Sequence, residues 1–143
     1  MYTAKLKPSA QPPSYFHMSL DAEPPPVVAL VAEDEFLIRM ETADTLADAG
    51  YKVLEVASAD AALRYLQEKD GVDLLFTDVN MPGNLNGFDL AREVALHWPE
   101  IQIVVCSGAA KPGPGDLSPK ARFIDKPYSA GLVEQVLREL RTV

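Results

Sequence analysis

The chain has 143 residues, which suits one domain with a substantial core. An apolar fraction of 48% and a charged fraction of 24% are those of an ordinary globular protein, and no apolar run is long enough to span a membrane. The net charge of −8 disfavours nucleic-acid binding, and the single cysteine, Cys106, excludes an internal disulfide and a cysteine-based zinc site. We therefore expect a cytoplasmic protein without nucleic-acid or membrane partners, present as a monomer or weak dimer.

The first 26 residues contain six of the twelve prolines of the chain. Proline lacks a backbone N–H and fixes φ, so this segment suits neither a helix nor a central strand. The segment also has too few apolar residues to offset the entropy lost on ordering. We predict a proline-rich flexible extension over residues 1–26 and one globular domain over 27–143.

The globular part begins with an unbroken apolar run at 27–32, which is typical of a strand covered on both faces. From Glu35 the period becomes helical, and the predicted buried stripe of this helix comprises Phe36, Leu37, Met40, Ala43, Leu46 and Ala47. Gly50 suits the end of the helix, a second strand is predicted over 51–56, and Ser58 suits the cap of a second helix.

A third strand over 72–77 leads directly to Asp78. Asn86 can cap a third helix that ends near His97, before a proline, and a fourth strand follows over 101–106. Strand and helix therefore alternate along the chain, which predicts an α/β fold with a parallel sheet and helices on both faces.

The segment 109–120 interrupts this alternation because it contains five proline or glycine residues. A regular helix is therefore not expected there, and we predict that the fourth helix is short or irregular. The alternation resumes with a short fifth strand over 122–125 and a last helix with apolar positions at Leu132, Val133, Val136, Leu137 and Leu140.

Polar side chains follow four of the five predicted strands: Glu33 and Asp34, Asp78, Ser107 and Lys126. Since the carboxyl ends of parallel strands lie at one edge of a sheet, these groups can converge there. Alone, each is weak evidence, and an aspartate such as Asp78 after a strand is more often a loop cap. Together they predict a site for phosphate and a metal ion.

Three carboxylates brought close together at such a site require positive charge. Three carboxylates about 5 Å apart repel by roughly 3 kcal/mol per pair at an effective dielectric of about 20, so they require a proton or a cation. Hard oxygen ligands of this kind suit Mg²⁺, and the Lys126 ammonium can pair with Asp78 or with a phosphoryl oxygen. The Ser107 hydroxyl and the backbone N–H groups of Asn80 and Gly108 can donate to phosphate. Asp78 is then a candidate nucleophile for phosphoryl transfer.

Four motifs are jointly specific: Val-Ala-Glu-Asp-Glu at 31–35, Thr-Asp-Val-Asn-Met-Pro-Gly at 77–83, Cys-Ser-Gly at 106–108 and Phe-Ile-Asp-Lys-Pro-Tyr at 123–128. With them, residues 27–143 resemble the receiver domain of two-component response regulators. The resemblance implies a doubly wound five-stranded sheet in the flavodoxin-like order 2-1-3-4-5. It implies that Asp78 accepts a phosphoryl group from a sensor histidine kinase or a histidine phosphotransfer protein. It also implies that the domain catalyses its own aspartyl phosphorylation and dephosphorylation.

The resemblance assigns further roles by position. It implies Mg²⁺ held by three carboxylates and one backbone carbonyl, those of Glu33, Asp34, Asp78 and Asn80. Ser107 matches a switch hydroxyl that turns toward the phosphoryl group, and Phe123 matches an aromatic residue that moves inward with it. Lys126–Pro127 matches a peptide bond that is usually cis, an isomer that proline makes accessible.

The sequence departs from the common receiver pattern in several places. Glu33 and Ser107 stand where Asp and Thr are frequent, and the loop between Pro82 and Gly87 is one residue longer. The segment 109–120 stands where receivers have their fourth helix. We expect it to be the least ordered part of the core and to order partly on phosphorylation or partner binding.

Three other functions compare less well with the sequence. A haloacid-dehalogenase-type hydrolase requires a second Asp where this chain has Asn80, and a flavodoxin-like phosphate loop would be repelled by the acidic residues at 33–35. A pseudo-receiver that binds partners without phosphorylation is the alternative from a different class, although such proteins typically lose an acidic residue or the lysine. No output domain follows in this sequence, so we expect a stand-alone receiver that acts as a phosphorelay shuttle, a sink or a regulator of an unknown downstream protein.

Overall fold

The computed structural model describes residues 25–141, so nearly all of the extension predicted over 1–26 lies outside the described residues. Within the described range there are five strands, Val27–Ala32 (β1), Tyr51–Val56 (β2), Leu74–Asp78 (β3), Gln102–Ser107 (β4) and Arg122–Asp125 (β5). The four helices of the same range are Phe36–Asp48 (α1), Ala59–Glu68 (α2), Gly87–His97 (α3) and Ala130–Arg141 (α4). Across residues 25–141, every helix is too short or too polar to cross a membrane.

The five strands form one parallel sheet in the order β2-β1-β3-β4-β5. The change of winding direction at β1 places β3 beside β1, in the middle of the sheet. The predicted doubly wound α/β fold and its strand order are therefore confirmed.

Helices cover the sheet on both faces, which explains the apolar strands. On one face, strand residues such as Leu30, Leu75 and Val105 pack with α2 and α3. On the other face, alternate strand residues such as Phe76 and Val104 pack with α1 and α4. All five residues of β3 are buried, as the unbroken apolar run predicts.

The helix caps follow the sequence closely. The Ser58 hydroxyl accepts the N–H of Ala61 at 3.0 Å, at the start of α2. Asn86 and Asp89 form a reciprocal capping box, with both hydrogen bonds at 2.9 Å, at the start of α3. Both predicted caps are confirmed.

The buried stripe predicted for α1 is wrong over its first half. Phe36 is 61% exposed, Leu37 is 67% exposed and Met40 is 39% exposed, whereas the buried residues of α1 are Thr42, Ala43 and Leu46. Ala47, also assigned to the stripe, is exposed. Periodicity identifies residues that share a face, but it does not show how far along the helix that face is covered. Here the sheet and α4 cover only the C-terminal half.

The connection between β4 and β5 contains no helix, as its proline and glycine content predicts. Its start is held where the N–H of Ala110 donates to Ser107 Oγ at 3.0 Å. Farther along, Asp116 accepts the N–H of Gly113 at 2.7 Å and pairs with Arg92 of α3 at 3.2 Å. Leu117 contributes a partly buried side chain to the core. The segment is thus fixed by side chains at a few points.

We predict that amides of residues 109–120 exchange with solvent faster than those of α3. The backbone hydrogen bonds in this segment are turn contacts, such as those from Asp116 N to Gly113 O and from Ala121 N to Ser118 O, both near 3 Å. Isolated turns open at a lower free energy than the continuous ladder of a helix. Hydrogen–deuterium exchange read by mass spectrometry measures this, and equal protection in the two segments would contradict the prediction.

Candidate functional site

Strand register brings the predicted polar groups to one edge of the sheet. Ala32 of β1 pairs with Thr77 of β3, so Glu33, directly after β1, lies beside Asp78, the last residue of β3. Ser107 of β4 pairs with Asp125 of β5, which places Lys126 at the same edge. The convergence expected from a parallel sheet is present in the structure.

Three carboxylates meet at this edge. One oxygen from each of Glu33, Asp34 and Asp78 lies within 4.8 Å of the other two. Glu33 is only 3% exposed and Asp78 only 7%, whereas Asp34 is exposed. At such separations each pair of ionised carboxylates repels by about 3 kcal/mol at an effective dielectric near 20. The folded chain must therefore supply or bind positive charge here.

Lys126 supplies one positive charge to the cluster. Its ammonium lies 2.8 Å from Glu33 Oε1 and 3.3 Å from Asp78 Oδ1, so it bridges two of the carboxylates. Pairing with Asp78 was expected from the sequence, but the closer contact with Glu33 was not. With all four groups ionised, the cluster keeps a net charge of about −2.

Burial and charge pairing act in opposite directions on the pKa values of Glu33 and Lys126. Burial raises the pKa of Glu33 above its ordinary value, and the hydrogen bonds from Lys126 and from the N–H of Glu35 only partly counteract it. Burial alone would lower the pKa of Lys126, but the hydrogen bond with Glu33 and the charge of Asp78 raise it overall. Lys126 therefore stays protonated at neutral pH.

Backbone contacts fix the two buried carboxylates. Glu33 Oε2 accepts the N–H of Glu35 at 3.1 Å, and the Glu33 carbonyl accepts a hydrogen bond from Arg39 at 2.8 Å. Asp78 Oδ1 accepts the N–H of Val79 at 2.8 Å. Each carboxylate thus accepts a backbone N–H beside the end of its strand, and the Arg39 side chain fixes the backbone of Glu33.

The remaining predicted residues lie around the cluster. Ser107 is buried at the end of β4, and its hydroxyl accepts the N–H of Ala110. Phe123 is half-buried on β5, with the Lys111 ammonium 5.8 Å from its ring centroid. Asn80 and Gly108, expected to contribute backbone groups, are both exposed in the loops that follow β3 and β4.

A tyrosine that sequence reasoning did not single out holds the segment after Lys126. The Tyr128 hydroxyl lies 2.6 Å from Thr42 Oγ1 of α1, and its ring packs edge-on against Phe76 at 5.8 Å. The Lys126–Pro127 peptide is cis, as expected. Thr42 interrupts an otherwise apolar helix face, which is the signal that could have suggested a polar partner.

Gly87, the first residue of α3, also has a role that the sequence did not reveal. A Cβ there would lie 2.0 Å from the Asp78 carbonyl oxygen and 2.8 Å from Val79 Cα. The Gly87 N–H donates to the Val79 carbonyl at 2.8 Å. Glycine thus allows the start of α3 to lie directly against the backbone of Asp78.

The donor set fits a magnesium ion. It consists of carboxylate oxygens, which Mg²⁺ prefers, and it retains negative charge after the contribution of Lys126. The exposure of Asp34 leaves one side of the cluster accessible to solvent, as Mg²⁺ requires in order to retain water ligands.

Comparison with known proteins identifies the fold family. Residues 29–117 match the sequence profile of the response regulator receiver domain. The chain belongs to this family. The receiver fold accounts for the strand order of the sheet.

Individual relatives extend this result. The receiver is 30% identical over 122 residues to the chemotaxis protein CheY of Thermotoga maritima, covering 78% of this chain and 94% of CheY. It is 34% identical over 117 residues to the sensor kinase CckA of Brucella abortus, but that match covers 78% of this chain and only 12% of the length of CckA.

Solved structures agree with the sequence matches. A response regulator receiver protein from Sinorhizobium medicae superimposes with a TM-score of 0.77 at 26% identity, covering 82% of this chain and 96% of that one. The relatives thus include single receivers and much longer proteins.

We predict that Gly87→Ala lowers the free energy of unfolding by about 3 kcal/mol, the upper part of the usual cost of overpacking. The added methyl group would meet backbone atoms of β3, which cannot move without disturbing the sheet. Urea denaturation measures the change. Gly131→Ala is the matched control because its Cβ would meet nothing closer than 3.8 Å. This control should be neutral or slightly stabilising, and equal losses in both variants would contradict the prediction.

Proposed function

We propose that Asp78 accepts a phosphoryl group from a histidine of a sensor kinase or phosphotransfer protein, with Mg²⁺ bound by the acidic cluster. The observation that carries this proposal is the contact of the Lys126 ammonium with Asp78 at 3.3 Å, inside a cluster of three carboxylates. An ordinary loop-capping aspartate would require neither partner. Membership of the receiver family supports the same assignment.

Phosphoryl transfer from histidine to Asp78 would form one bond to phosphorus and break another. A carboxylate oxygen of Asp78 attacks phosphorus, the phosphorus–nitrogen bond of phosphohistidine breaks, and the imidazole nitrogen keeps the electron pair and binds a proton. Bound Mg²⁺ would neutralise charge on the transferring phosphoryl oxygens. Lys126 remains charged and can exchange its contact with Asp78 for one with a phosphoryl oxygen. Glu33, Asp34, Asp78 and the backbone carbonyl of Asn80 are the proposed metal ligands.

Ser107 is proposed to connect phosphorylation to the β4–β5 segment. Its hydroxyl currently accepts the N–H of Ala110, and the backbone N–H groups of Asn80 and Gly108 would donate to the phosphoryl group. If Ser107 turns toward the phosphoryl group, Ala110 loses its partner and the start of the segment is released. Phe123 lies beside this segment and would move with it.

The first half of α1 supplies a surface for the histidine-bearing partner. Phe36, Leu37 and Met40 expose large apolar side chains just after the acidic residues. A cavity of about 530 Å³ lies between α1 and the segment after β5, with Lys126 and Tyr128 in its wall. Apolar surface beside a reactive carboxylate suits a partner that must place a histidine over Asp78.

A phosphorylation-independent interaction module remains the second candidate. Such a module could bind a partner through the same exposed apolar surface of α1, because binding alone requires no reactive carboxylate. The retained acidic cluster and Lys126 favour the phosphorylated receiver. We propose that the phosphorylated receiver acts as a phosphorelay shuttle, as a sink for phosphoryl groups or as a regulator of a downstream protein.

Incubation with acetyl phosphate and Mg²⁺ separates these candidates. The wild-type protein should gain the mass of one phosphoryl group, because a receiver can use a small phosphodonor when its site is complete. Asp78→Asn should gain none, and omission of Mg²⁺ should abolish or greatly slow the reaction. Intact-mass spectrometry reads the result. An unchanged mass for the wild type, or an undiminished gain in the variant, would contradict the proposal.

Asp34→Asn should weaken Mg²⁺ binding by tenfold or more. The substitution removes one of three charged ligands, and loss of even an outer-shell partner typically costs about 10–100-fold in metal affinity. A Mg²⁺ titration followed by the amide chemical shifts of Val79 and Ser107 measures the affinity. Asp44→Asn, which removes an exposed negative charge on α1 away from the cluster, is the control. Equal affinities of the two variants would exclude Asp34 as a ligand.

A further inference from the structure

The loop between β3 and α3, residues 79–86, is held at its tip by an aspartate from a different element. Asp60 lies in the first turn of α2. Its Oδ2 accepts the N–H of Asn84 at 2.9 Å, and its Oδ1 accepts the N–H of Leu85 at 3.1 Å. A single carboxylate therefore satisfies two consecutive amides of the loop that carries the extra residue.

Gly83 leaves room for the Asp60 carboxylate because it has no side chain. Its φ of +119° lies in a region that side chains rarely adopt, and a Cβ there would lie 2.6 Å from Asp60 Oδ2 and 3.2 Å from Asp60 Cγ. Proline precedes it at position 82 and restricts the approach of the chain. The loop tip and Asp60 thus fit together through both hydrogen bonding and the absence of a side chain.

The loop is also closed at its base. The N–H of Gly87 donates to the carbonyl of Val79 at 2.8 Å, and the capping box of Asn86 fixes the exit into α3. Asn80 lies between this base and the tip, three residues before Gly83. Its position therefore depends on how the tip is anchored, and that anchor includes Asp60.

We propose that Asp60 is a positioning residue for the metal site: by holding residues 83–85, it sets the placement of the Asn80 backbone carbonyl. This inference rests on the proposed function, in which that carbonyl is a ligand. Mg²⁺ demands near-ideal octahedral geometry, so displacement of one ligand lowers affinity. Asp60 itself contacts neither the acidic cluster nor Lys126 in the hydrogen bonds and ion pairs of the described residues.

The two hydrogen bonds from Asn84 and Leu85 to Asp60 are called the Asp60 clamp below. Two variants break this clamp, one from each side. Asp60→Ala removes the acceptor, whereas Gly83→Ala keeps the charge of Asp60 and drives its carboxylate away from the loop. Both should weaken Mg²⁺ affinity about tenfold, the lower part of the usual effect of outer-shell groups. Asp60→Asn is a milder variant that keeps one acceptor oxygen and should give a smaller loss. Glu68→Gln, at the other end of α2, is the charge-matched control and should leave the affinity unchanged.

The Mg²⁺ titration is read by amide chemical shifts, and amide exchange at Asn84 and Leu85 reports whether the clamp is open. Faster exchange with Mg²⁺ affinity within twofold of wild type would overturn the inference. A loss in Asp60→Ala but not in Gly83→Ala would also overturn it, because the effect would then come from charge alone. Absence of Mg²⁺ binding by the wild-type protein would overturn the proposed function and, with it, this inference. Normal wild-type binding with unaffected variants would overturn the inference alone.

Discussion

The bridge from Lys126 to Glu33 and Asp78 is the contact on which the site depends. Two carboxylates that are almost fully buried lie beside each other and beside Asp34, and their mutual repulsion opposes folding. The ammonium reduces that repulsion without removing it, because one positive charge faces three negative ones. The edge of the sheet therefore holds a cluster of carboxylates whose negative charge is only partly neutralised.

The sheet makes this cluster rigid. Glu33 and Lys126 follow β1 and β5, Asp78 is the last residue of β3, and the register of the parallel strands places these ends together. Gly87 brings α3 against the backbone of Asp78, and Tyr128 joins the segment after Lys126 to Thr42 on α1. The less regular parts surround this rigid centre: the loop held by Asp60 on one side and the β4–β5 segment attached through Ser107 on the other.

The strand order, the two helix caps and the irregular 109–120 segment could be predicted from the sequence because each depends on local residue type or on family motifs. The exposed half of α1 could not be predicted from periodicity, since exposure of Phe36 and Leu37 depends on where the sheet ends. The Glu33–Lys126 contact and the Asp60 clamp join residues far apart in the chain, at separations of 93 and at least 24 residues. Such contacts become visible only once the topology is known. The extra residue between Pro82 and Gly87 was a visible signal, but it did not indicate which element would hold the longer loop.

We propose that Asp78, among the three clustered carboxylates, receives the phosphoryl group. Locating the modified residue tests this most directly. After reaction with acetyl phosphate and Mg²⁺, borohydride reduces the acyl phosphate, and peptide mass spectrometry identifies the reduced side chain. We expect reduction at Asp78 alone. Reduction at Asp34 or Glu33, or at no residue of the acidic cluster, would contradict it.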